Sequence, residues 1–124
     1  MKRAILLAVF LFGGSIPLFS ETWSGYLVDS KCYASQERNV NPFDSNFNTN
    51  HDRGYEIRVC QPNAKTKSFT VVDSDGVSFE LDPSGNEKAA NLIRQAPKKP
   101  VISVTVTGKK HEDTVAVDSI SLAR

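Results

Sequence analysis

Few residues in this chain have the type and spacing to do chemistry, and two of those are cysteines. Cys32 and Cys60 are the only sulfhydryls. They form no Cys-x-x-Cys motif and have no Cys/His set around them, so redox exchange and zinc ligation are the weaker readings and a single structural disulfide the simpler one. Closing that loop would stabilise the fold by roughly 3–3.5 kcal/mol. The run Asp44-Ser-Asn46-Phe-Asn48-Thr-Asn50-His-Asp52 places an oxygen donor at every second residue, as the start of a calcium-binding loop does. The match then fails: position six is Thr49 where the turn needs Gly, and position twelve is Tyr55 where a bidentate Glu is needed. Asp44, Asn46, Asn48 and Asp52 are therefore weak calcium candidates, with a solvated Asn-rich loop as the alternative.

Other candidates are thinner. His51 and His111 lie 60 residues apart among charged neighbours, so a shared site would need two loops to converge. No Gly-x-Ser-x-Gly elbow, phosphate-binding loop or dinucleotide fingerprint is present. Trp23 and Tyr26 could offer an aromatic platform for sugars or bases, or simply pack. Lys98-Lys99 and Lys109-Lys110, joined by Lys65 and Lys67, could form an anion patch or act as solvated charges. No cofactor is expected. No reaction can be named, and an enzyme would need groups such as Asp29, His51, Asp52 and Glu56 to be gathered by the fold.

The start of the chain reads as a cleavable export signal. Lys2 and Arg3 precede nine apolar residues, Ala4 to Phe12, too short to span a bilayer as a helix. Gly13, Gly14 and Pro17 follow, and Ser20 suits signal peptidase, giving a signal over 1–20 and one domain over 21–124. Losing Lys2 and Arg3 from 15 basic residues leaves 13 against 14 acidic, a formal charge of −1. That balance argues against nucleic acid as a partner, and no later stretch suits stable membrane insertion. Localisation is expected to be periplasmic or secreted.

The elements that must position these residues are short strands. Thr22 to Ser30 reads as the first, with a bend at Gly25. Residues 31–66 are polar, with six Asn between positions 39 and 63. They read as an irregular excursion tethered by the disulfide, pinned by Phe43, Phe47 and Tyr55, in which only Tyr55 to Val59 could be regular. Lys67 to Asp73 and Val77 to Leu81 form a hairpin about Gly76, with Val77, Phe79 and Leu81 inward. Asn86 can cap a helix from Glu87 to Ala96 whose narrow apolar face is Ala89, Leu92, Ile93 and Ala96. Val101 to Thr107 and Thr114 to Leu122 are the last strands, flanking a turn at 108–113, with a phase change near Asp118-Ser119 that predicts a β-bulge. Five strands with one short helix between the third and fourth is the order of an OB-fold, so the expected fold is mainly β: a five-stranded OB-fold-like Greek-key barrel with a disulfide-tethered insertion after the first strand.

Two segments carry a resemblance. The opening Trp23-Ser-Gly-Tyr-Leu-Val-Asp29-Ser-Lys-Cys32 and the ending Val104-Thr-Val-Thr-Gly108 … Thr114-Val-Ala-Val-Asp-Ser-Ile120 resemble a group of small exported bacterial proteins of unknown function. Glu37 to Pro42 and Glu56 to Lys67 are similar to one branch of it. The resemblance implies the exported OB-fold-like architecture and no activity. The expected role is a binding or interaction module of the bacterial envelope, its partner an envelope protein, a peptide or an oligosaccharide; the alternative is a small hydrolase or redox enzyme whose site the insertion builds.

Overall fold

The computed structural model describes residues 19–37 and 46–123. The expected signal up to residue 18, and Phe43 and Asp44 of the excursion, lie outside them. The elements run β1 (Glu21–Asp29), α1 (Ser30–Glu37), α2 (Asn46–Val59), β2 (Phe69–Val72), β3 (Ser78–Leu81), α3 (Pro83–Gln95), β4 (Ser103–His111) and β5 (Thr114–Leu122). The protein is mainly β.

The five strands follow the order β1-β2-β3-β5-β4, and β4 pairs back onto β1, so the sheet closes. All pairings are antiparallel except β3 with β5. β1 joins the two halves: residues 21–26 pair with β4 and residues 26–29 with β2. The hand-over is crowded, since a β-carbon at Gly25 would lie 2.6 Å from the Val72 carbonyl oxygen. Glycine there permits a close backbone approach. The expected bulge is present: Thr107 faces Ser119 and Gly108 faces Val117, leaving Asp118 as the extra residue.

The strands enclose a core of Leu27, Phe69, Val71, Phe79, Leu81, Ile102, Val104, Val106, Val115 and Val117, with Ala89 of α3 against it. Trp23, Leu92 and Ile93 pack around its margin. Period-two alternation explains this set, because each strand turns every second apolar side chain inward.

Three expectations need correction. Asn86 does not cap α3. The cap is Asp82, whose Oδ1 accepts from Gly85 N at 2.8 Å, with Pro83 in the first turn. A cap acid followed by proline is a strong helix start, so the helix begins at Pro83 and not at the expected Glu87. Asn86 Oδ1 instead accepts from Phe69 N, fixing the start of β2. Val77 is not inward but half-exposed, because it belongs to the turn: its N–H donates to Asp73 Oδ1 and its carbonyl accepts from Asp73 N. Gly76 supplies the positive φ of 87° that this turn needs.

The third correction is the largest. One helix was expected, and three form among the described residues. The 31–66 excursion folds as α1 and α2, whose apolar periodicity is too sparse to show in the sequence. α1 buries only Tyr33; α2 contributes Ile57 and Glu56. Helices this short gain most of their stability from what they dock on. Here they cover the outer face of β1 and β2, making a second core of Val28, Tyr33, Ile57, Cys60 and Val72. Tyr55 does not pin the excursion, since it is exposed. β2 is consequently buried on both faces.

Asp82 Oδ1 also accepts from Val117 N at 3.2 Å, so one carboxylate ties α3 to β5. Asp82→Ala is expected to lower the unfolding free energy by about 2 kcal/mol, from a lost cap and an unpaired strand N–H. Urea denaturation measures this, with Asp82→Asn retaining most of the stability.

Candidate functional site

The disulfide joins Cys32 in α1 to Cys60 just after α2, with the Cα atoms 5.4 Å apart. Asp29, at the end of β1, sits at the same junction. Its Oδ1 accepts from Cys32 N at 3.1 Å, its Oδ2 accepts from Thr66 Oγ1 at 2.9 Å, and its own N–H donates to Cys60 O at 2.9 Å. Asp29 was a candidate for a catalytic set, and its hydrogen bonds make it a bracket for the excursion.

With α1 anchored there, a cleft of about 300 Å³ opens between it and the outer face of β2–β3. Ser30, Tyr33 and Glu37 come from α1, Thr70 from β2, Ser78 and Glu80 from β3, and Asp113 from the β4–β5 turn. Thr70 and Glu80 are cross-strand partners. Ser30 Oγ and Thr70 Oγ1 share a 2.7 Å hydrogen bond across the floor, and Glu80 N donates to Asp113 O at 2.9 Å. Every charged residue of this lining is acidic: Glu37, Glu80 and Asp113, all exposed.

Behind Tyr33 lies a buried carboxyl. Glu56 is 5 % exposed. Burial raises its pKa to about 7, helped by a hydrogen bond with Glu37 and by the charges of Glu37 and Asp52, and opposed by Arg53. Its Oε1 has no hydrogen-bond partner among the described residues. The Tyr33 phenol is also pushed up, by burial first and then by Glu37 and Glu56. The Arg53 guanidinium lies against Gly76, where any β-carbon would collide with it. Arg53 therefore links α2 to the β2–β3 turn.

The two aromatic candidates are not gathered. Trp23 and Tyr26 sit on opposite faces of β1 and form no shared platform. Trp23 packs on the main core, its ring centroid 5.4 Å from that of Phe79, while Tyr26 packs on the second core. Asn46, Asn48 and Asp52 belong to α2, a helix and not the loop that a calcium-binding run of this kind forms. No group of three or more His, Cys, Asp or Glu suited to a metal occurs among the described residues. His51 lies in α2, and His111 is exposed at the end of β4. No described helix is long and apolar enough to cross a membrane.

Glu37, Glu80 and Asp113 escaped the sequence reading. The outward phase of Glu80 in its alternating strand was a usable signal, whereas the Tyr33–Glu37 spacing means something only once α1 is known to be a helix. No family model matches the chain, and no curated protein or solved structure matches it.

The Glu56 carboxyl binds its proton more tightly folded than unfolded, so between about pH 4.5 and 7 the folded chain holds more protons. Its contribution is full below pH 4.5 and is lost as pH rises through 7. Stability is expected to fall by about 3 kcal/mol across that window, and Glu56→Gln should flatten the fall. Urea midpoints at pH 5 and pH 8 test this; an unchanged pH dependence in the variant would refute the assignment.

Proposed function

We propose that the chain is an exported binding module of the bacterial envelope or its surroundings, and that its ligand sits in the acidic cleft between α1 and the β2–β3 face. The cleft is the observation that carries the reading. We read the architecture as an OB-fold-like Greek-key barrel. The closed strand order, the parallel β3–β5 pair and the helix between β3 and β4 support that. OB-folds bind ligands on the face of strands 2 and 3, between the loops that follow strands 1 and 4. The cleft is bounded by those two connections, the helical excursion and the turn holding Asp113. The basic–apolar–small pattern of residues 1–20 and the disulfide support export.

The lining selects among ligands. Three carboxylates and no cation favour a positively charged partner, so a Lys- or Arg-rich peptide segment fits better than a neutral oligosaccharide, for which the separated Trp23 and Tyr26 offer no common stacking surface. A second reading, a hydrolase acting through the Glu37–Glu56 carboxyl pair, is favoured by the near-neutral pKa of Glu56. It ranks lower because Glu56 does not line the cleft and the Ser30 hydroxyl is bonded to Thr70 rather than to a base.

Calorimetric titration of the oxidised protein with an octa-arginine peptide tests the binding reading. Glu80→Lys with Asp113→Lys is expected to weaken binding at least about tenfold, with a loss of affinity at high salt. Equal affinity of wild type and variant would reject the site. Cleavage of the peptide by wild type but not by Glu56→Gln would favour the second reading.

A further inference from the structure

The remaining basic residues are not scattered evenly. Two clefts, of about 370 and 360 Å³, adjoin along α3 and share Ala64 and Arg94 in their linings. Lys65 and Lys67 rim the first, Lys98 and Lys99 the second, and Arg94 stands between. All five are exposed. Glu87 is the single acid in either lining. Neither cleft shares a residue with the acidic one. A chain that is nearly neutral beyond residue 20 thus sorts its charges into separate concave surfaces.

The supports of these cations are held in place before any ligand arrives. Residues 63–66 form a tight turn: Thr66 N donates to Asn63 O, Asn63 N to Thr66 Oγ1, and Lys65 N to Asn63 Oδ1 at 2.7 Å. Thr66 Oγ1 in turn donates to Asp29, so the turn is bolted to the disulfide junction. Lys98 and Lys99 sit between Pro97 and Pro100, which restrict that loop. Arg94 donates to Asn91 on its own helix. Among the described residues none of the five is in a salt bridge, whereas Lys109 is paired with Asp118. Between the cations the surface includes the partly buried Ala90 and Ile93.

From this arrangement we infer that the paired clefts along α3 form a second binding site, for a linear polyanion carrying repeated phosphate or sulfate groups. Five cations from three segments outnumber what one phosphate can engage, so the ligand must carry several anions in a row. The cations rim concave clefts, which suits a narrow chain better than a flat bilayer or a broad duplex. Apolar patches between the cations can face the uncharged links of such a chain.

Fluorescence anisotropy with a labelled sulfated octasaccharide, and competition by inorganic polyphosphate, tests the site in the oxidised protein. Wild type should bind both, with a log Kd against log salt slope of about 2 to 3 in magnitude, as for three or four released counterions. Lys65→Glu with Lys98→Glu should weaken binding at least about tenfold. The charge-matched pair Lys31→Glu with Lys110→Glu, at exposed positions outside these clefts, should change it less than about twofold. An equal loss in both pairs would overturn the site in favour of overall charge. So would binding to phosphatidylglycerol vesicles or duplex DNA without binding to the short chains.

Discussion

The structure depends on a junction a few residues wide. At the end of β1, Asp29 holds the amide of Cys32, the hydroxyl of Thr66 and, through its own backbone, the carbonyl of Cys60. The disulfide closes the same point covalently. Without this clasp, α1 and α2 would be two short helices with one or two buried apolar residues each, too little to repay the entropy of ordering them. With it, both are laid over the outer face of β1 and β2, and Thr70 and Val72 are buried beneath them. The closed sheet needs no such help, because its own alternation of Val, Ile, Leu and Phe fills its interior.

That division separates the closed sheet from the concave surfaces around it. The sheet and α3 form one core, and the clasped excursion builds the second and with it one wall of the acidic cleft. The residues just after the clasp, 61–67, supply a rim of the basic clefts. Both concave surfaces therefore take part of their shape from the same anchor, while their charges come from different elements. The buried Glu56 sits inside this region, so its protonation bears on the stability of the excursion and not on the packing of the sheet.

Strands were legible because their signal is local. The alternation in 101–107 and 114–122 marked the last two strands, and the change of phase located the bulge at Asp118. The five-strand order could be read, as could the disulfide, since a chain with two cysteines allows one pairing. The helices of the excursion were not legible, because docking and covalent tethering, rather than periodicity, hold them. The true cap was not legible because aspartate followed by proline serves both to end a strand and to start a helix, and only the contacts of Asp82 to Gly85 and Val117 distinguish them. The acidic cleft was invisible for a related reason. Its carboxylates come from α1, β3 and the β4–β5 turn, and no spacing in the chain joins Glu37 to Asp113.

The clasp itself is open to direct measurement by hydrogen exchange on the oxidised protein and on Cys32→Ser/Cys60→Ser. Loss of the bond should strip protection from amides of α1 and α2, while those of β4, β5 and α3 keep theirs under conditions where the sheet stays folded. Protection lost uniformly across the sheet and the excursion, or retained in α1 and α2 without the bond, would contradict a fold whose helical excursion is held on by that junction.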